Sequence, residues 1–179
     1  MLNGCVGILV AVLLLSSTAQ DRPQVLAPYI ATPEDVVERM LALAKVGPAD
    51  VVYDLGCGDG RVPIAAAVKY GARGVGLDLD PALIELARKN AGDAGVAGRV
   101  EFHVQDVLAA DISPATVVTL FLLSSSNEKL RPILQRQLKP GARIVSHAFS
   151  MGRTWPADQI DQFVSERGDE VTLYLWRIK

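Results

Sequence analysis

Residues 51–61, VVYDLGCGDGR, close an apolar run with an acid and place glycines at positions 56, 58 and 60. Glycine lets a backbone bend sharply and approach a ligand without a side-chain clash. The spacing is G-x-G-x-G. It departs from the G-x-G-x-x-G of dinucleotide sites and lacks the Gly-Lys-Ser/Thr ending of a phosphate-binding P-loop. Asp54 points the same way, because a carboxylate at the turn repels a pyrophosphate and suits a ligand carrying an ammonium group. Asp78 follows Asp54 by 24 positions. That matches the acid about 20 residues beyond a nucleotide turn, which accepts hydrogen bonds from ribose hydroxyls. A third acid, Asp106 in VQDVL, stands where an adenine amino group would be met. Gly56 and Gly58 are expected against the ligand. Asp80 reads only as a helix cap.

Such residues need strand ends to hold them, and the pattern supplies these. Val51–Leu55, Gly74–Leu79, Arg99–Val104, Val117–Leu123 and Arg143–His147 read as strands. Arg61–Tyr70, Pro81–Asn90 and Asn127–Leu138 read as the intervening helices. An earlier helix opens at Thr32-Pro33-Glu34-Asp35, with Thr32 as its cap, and stops at Gly47-Pro48. Gln159–Ser165 and Val171–Ile178 form a closing hairpin across a short polar turn. Strand-helix alternation predicts an α/β fold: a single Rossmann-like, doubly wound, mostly parallel seven-stranded sheet with a C-terminal antiparallel hairpin.

The chain has 179 residues, enough for one domain with a substantial core. Its net charge of −2 gives no general attraction to nucleic acid. Cys5 and Cys57 form no metal-ligand pattern, so no metal site is expected. Residues 1–19 carry no charged side chain, and Val6–Leu15 has the length of a signal-peptide core. This predicts an exported or membrane-anchored protein, with cleavage before Gln20 as one outcome and an uncleaved anchor or a cytoplasmic location as the others. Residues 20–30 read as a linker and 31–179 as the domain.

DLGCGDGR, GVGLDLDP and the acid after the third strand resemble the class I S-adenosylmethionine-dependent methyltransferases. The resemblance implies that Asp54 serves the methionyl end of the cofactor, Asp78 the ribose and Asp106 the adenine, with Gly56 and Gly58 against the cofactor. PYIATPEDVVERML, VVTLFLL and LKPGARIVSHAFSMG resemble, more narrowly, the small protein-lysine methyltransferases of archaea and mitochondria. In these the lead-in to the first helix helps close the cofactor site, which implicates Tyr29, Thr32 and Pro33.

Methyl transfer from a sulfonium needs alignment and exclusion of water more than a protein nucleophile, and no catalytic side chain is assigned. The fourth strand leads into LLSSSN, not the Asn/Asp-Pro-Pro-Tyr/Phe motif used on planar nitrogens. That counts against a DNA adenine or glutamine amide acceptor, and the narrower resemblance implies a protein lysine. A small-molecule acceptor, or an inactive exported cofactor-binding protein, are the alternatives. Ser124, Ser125 and Asn127 read either as acceptor-channel residues or as a cap and loop. Trp155 reads as a channel wall or a loop anchor, and His103 and His147 as packed or strand-end residues.

Overall fold

Side chains alternate between the two faces of the sheet, and along its central strands both faces are covered. In the computed structural model, which describes residues 26–27 and 29–179, seven strands form one sheet. They are β1 (Val51–Leu55), β2 (Arg73–Asp78), β3 (Val100–Val104), β4 (Val117–Leu120), β5 (Arg143–His147), β6 (Gln159–Val164) and β7 (Glu170–Arg177). The helices are α1 (Glu34–Leu43), α2 (Arg61–Tyr70), α3 (Pro81–Asp93) and α4 (Ser124–Gln137). The apolar segment Val6–Leu15 and Cys5 lie outside the described residues.

The strand order is β3-β2-β1-β4-β5-β7-β6. β1 to β5 run parallel, and β7 is antiparallel to both β5 and β6. The chain steps outward from β1 to β3, then returns to lay β4 on the other side of β1. That reversal opens a crevice at the carboxyl ends of β1 and β4.

Alternation along β4 explains the packing. Val117 joins an apolar layer with Val36, Met40, Leu41 and Val62 from α1 and α2. Val118 and Leu120 join the opposite layer with Leu130 and Leu134 of α4 and with Trp176. All four β4 residues are buried.

β1, α2 and β5 keep the bounds that the sequence predicts. Asp80 caps α3, accepting from the Ala82 N–H at 2.8 Å. The bounds of β2, β3, α3, β6 and β7 shift by one to three residues, and three further differences bear on the crevice. Thr32 does not cap α1: Pro33 holds the cap position and no side chain bonds there, while Thr32 is buried against the crevice. β4 ends at Leu120, not Leu123, because Phe121 and Leu122 turn out over the crevice. α4 begins at Ser124, not Asn127, because the Leu123 carbonyl accepts from the N–H groups of Ser126 and Asn127 and so starts the helix early.

Candidate active site

The crevice holds a cavity of about 260 Å³, lined by residues from the lead-in to α1 and from the ends of β1, β2, β3 and β4. Tyr29, Thr32, Asp54, Gly56, Gly58, Asp78 and Asp106 all line it. The structure thus brings these seven residues to one place, while Pro33 does not line the cavity.

The turn after β1 is built from its glycines. Gly56 has φ 88° and Gly58 φ 52°, a conformation that L side chains rarely adopt. A Cβ on Gly58 would lie 2.4 Å from a Tyr29 ring carbon, so only glycine lets that ring settle on the turn. The amides of Gly56 and Cys57 both donate to the Leu77 carbonyl, at 2.8 and 3.0 Å. Gly58 N–H donates to Asp78 Oδ2 at 2.9 Å, and Asp80 N–H to Asp78 Oδ1 at 3.1 Å. The turn and the Asp78 carboxylate therefore orient each other. Asp106 accepts from the Leu108 N–H at 2.9 Å, which fixes the loop after β3.

Asp54 is 6% exposed and has no cationic partner among the described residues. Thr119, its register neighbour on β4, donates from Oγ1 to Asp54 Oδ1 at 2.7 Å. Burial pushes the carboxyl up to about 7, against the Thr119 hydrogen bond and helped by the charges of Asp78 and Asp59. An acid so placed gains by receiving a cation. Cys57 also lines the cavity, but burial, then Asp54 and Asp78, push its thiol well above the usual range. It stays protonated and is no nucleophile.

Sequence reasoning passed over Asp59 and Arg61. Arg61 forks onto Asp59, with Nε to Oδ1 at 2.9 Å and Nη2 to Oδ2 at 2.6 Å. Its Nη1 donates to the Thr32 carbonyl at 2.6 Å. Burial would raise Asp59, but the Arg61 hydrogen bonds outweigh it and hold the acid below its ordinary value. The fork ties the lead-in segment to the glycine turn. The Asp-Gly-Arg ending of the motif was the available signal.

Other expectations resolve as packing. Asn127 is fully buried and bonds Ser146 and Phe149, while Ser124 and Ser125 face solvent. Trp155 packs against the core, and its carbonyl accepts from Trp176 Nε1 at 2.9 Å, so it anchors its loop. His103 is half-exposed beside Glu101.

The model of the ANTKMT methyltransferase domain matches residues 54–159, which run from Asp54 through the crevice-forming strands. The chain belongs to the ANTKMT methyltransferase domain family. It is 45% identical over 152 residues to a protein-lysine N-methyltransferase of Saccharolobus islandicus, covering 84% of this chain and 93% of that protein. It is 36% identical over 148 residues to the adenine nucleotide translocase lysine N-methyltransferase of Mus musculus, and spans 62% of that protein's length. A crystal structure of an RNA methyltransferase from Salinibacter ruber, in complex with S-adenosyl-L-homocysteine, superposes with a TM-score of 0.77. The two are 56% identical, covering 83% of this chain and 94% of that one. This member of the ANTKMT methyltransferase domain family is therefore a class I methyltransferase in both fold and sequence.

Proposed function

We propose that the protein methylates lysine side chains of protein, with S-adenosylmethionine as donor. The observation that carries the reading is Asp54: a buried acid with no cationic partner among the described residues, on the wall of a cavity that also gathers Asp78 and Asp106. This donor set fits the group. The methionyl ammonium and the sulfonium are cations, and the ribose and adenine offer hydrogen-bond donors to the two further acids. When bound, S-adenosylmethionine supplies a methyl group already activated on sulfur.

The chain's own residues then bind, orient and exclude water. In this reading Asp54 serves the methionyl end, Asp78 the ribose hydroxyls and Asp106 the adenine amino group. Gly56 and Gly58 admit the cofactor close to the backbone, and Tyr29 and Thr32 wall it from solvent. An acceptor lysine must arrive at the methyl group neutral, against an ordinary pKa of about 10.4. Apolar surroundings lower that value, and the acceptor side of the cavity offers Leu120, Phe121 and Leu122.

Lysine as acceptor is supported by the Saccharolobus and mouse relatives, each named as a lysine methyltransferase. The Salinibacter protein, described as an RNA methyltransferase, favours a second reading with RNA as acceptor. One experiment separates them. Purified protein and methyl-labelled S-adenosylmethionine are incubated with cell extract, and the labelled macromolecules are hydrolysed. Label recovered as methyl-lysine supports the first reading; label recovered only in nucleosides overturns it. The apolar segment Val6–Leu15 supports a membrane-directed location, which fractionation of a tagged full-length protein tests. Recovery wholly in the soluble cytosolic fraction would count against it.

A further inference from the structure

The order of the strand ends sets a direction across the cavity. From β3 through β2 and β1 to β4, the ends present Asp106, Asp78, Asp54 and Phe121 in turn. If the acids hold adenine, ribose and the methionyl end, the next strands along, β4 and β5, are where the acceptor must stand.

That edge is aromatic. Phe121 follows β4 and lines the cavity. His147 ends β5, and the two rings lie 4.0 Å apart between centroids with planes tilted by 31°. Phe149 also stacks on Phe121, at 6.3 Å and 25°. Neither phenylalanine belongs to the apolar clusters that make the core, and both are half-buried.

The backbone is strained to build this edge. Ala148 has φ 63°, and the Phe149 N–H donates back to the His147 carbonyl at 2.8 Å. A γ-turn of that hand is rare and costly. Two buried side chains hold it: Ser146 Oγ donates to the Phe149 carbonyl at 2.6 Å, and Asn127 Nδ2 donates to the same oxygen at 3.0 Å. His147 is 8% exposed, and its Nδ1 is buried with no hydrogen-bond partner. A core that wanted only packing would place an apolar side chain there.

We propose that Phe121, His147 and Phe149 form the wall that first receives the acceptor lysine as its ammonium, before the amine releases its proton to solvent and advances, neutral, to the methyl group. The proposal rests on the lysine reading above. Aromatic faces attract ammonium and methylated ammonium groups through the ring quadrupole. A charged imidazole in the stack would repel such a guest. Burial lowers the His147 pKa and keeps the ring neutral. The strained turn then has a purpose, since it brings the third ring to a position that an ordinary strand end would leave empty.

The test uses the full-length protein with three variants, Phe121→Leu, Phe149→Leu and Phe121→Tyr. Methyl transfer from labelled S-adenosylmethionine is followed against increasing total extract protein, and calorimetry measures S-adenosylhomocysteine affinity. Each leucine variant should raise the apparent KM for acceptor protein by about five- to twentyfold. S-adenosylhomocysteine affinity should stay within twofold of wild type in Phe149→Leu, whose residue does not line the cofactor cavity. Phe121→Tyr, which keeps an aromatic face, should restore the KM. Independently of turnover, n-butylammonium added to the S-adenosylhomocysteine-loaded protein should shift the Phe121 and Phe149 ring protons by NMR, and n-butanol should not. An unchanged KM in both leucine variants, or equal shifts from the uncharged alcohol, overturns the wall while leaving methyl-lysine formation standing. Wild-type label absent from lysine overturns the lysine reading and the wall together. Should Phe121→Leu lose S-adenosylhomocysteine binding through misfolding, Phe149→Leu and the NMR titration decide the matter.

Discussion

Two aspartates sit at opposite ends of the same strand and have opposite lives. Asp50, just before β1, is met from every side. Thr116 Oγ1 donates to its Oδ1 at 2.7 Å, the Gly47 N–H to its Oδ2 at 2.8 Å, and Arg143 pairs with it. Burial would raise its pKa, but these partners outweigh that and hold it below the ordinary value. Asp54, four residues on, has one hydroxyl and no cation, and sits at about 7. The amino-terminal edge of the sheet is finished by the fold itself. The carboxyl-terminal edge is left incomplete, in the chemical form of the ligand that completes it.

The comparison can be broken at either aspartate. The largest effect is expected at the incomplete edge. Asp54→Ala should weaken S-adenosylmethionine binding by about 3 kcal/mol or more, more than a hundredfold, because it removes one partner of a buried charge pair. Calorimetry checks this, and binding within threefold of wild type would remove Asp54 from the site. At the finished edge the cost should appear in stability instead. Arg143→Ala strands Asp50 and also frees the Ala44 carbonyl behind α1, to which Arg143 Nη1 donates at 3.0 Å. Urea unfolding should show a loss of about 2–3 kcal/mol, with cofactor affinity at 25 °C little changed.

The two acids should also differ in their response to pH. An unfolded aspartate titrates near 3.9. Between roughly pH 4 and pH 7 the native state therefore keeps a proton on Asp54 that the unfolded chain has lost, and the free protein loses stability as pH rises through that window. A cationic ligand prefers the ionised acid, so its affinity should rise over the same range, with proton release on binding near pH 6. Calorimetry in two buffers of different ionisation enthalpy measures that release. Asp54→Asn should flatten both trends; a trend that survives the substitution belongs to another group. Asp50 contributes with the opposite sign: its stabilisation is present above the unfolded value and disappears as pH falls through its depressed native one. The smallest expected effect belongs to Thr119→Val. It removes the hydrogen bond that favours the charged form of Asp54, and should cost about 1 kcal/mol of cofactor affinity while moving the midpoint of the affinity-pH curve upward.

The sequence discloses the incomplete edge more readily than the finished one. VVYDLGCGDGR shows its acid and glycines locally, because a turn that must bend and admit a ligand is written in consecutive residues. Asp78 and Asp106 follow from the same logic, each at the end of an apolar run. Arg143 and Asp50 lie 93 positions apart, and nothing near either residue marks the pair. The same holds for the Asn127–Ser146–Phe149 clamp, which is assembled across 22 positions where α4 meets the end of β5. Thr32 shows the opposite failure. Its local pattern fits a helix cap, but the crevice and the Arg61 guanidinium claim the residue for tertiary contacts.

The lead-in segment has a mechanical meaning. Leu26, Ala27 and Tyr29 to Thr32 form a wall of the cavity, and Arg61 grips that wall by the Thr32 carbonyl. The same residues join the domain to residues 1–25 along the chain. A pull or a restraint on the amino-terminal segment therefore arrives first at Leu26, a residue that the cavity wall and the apolar core share.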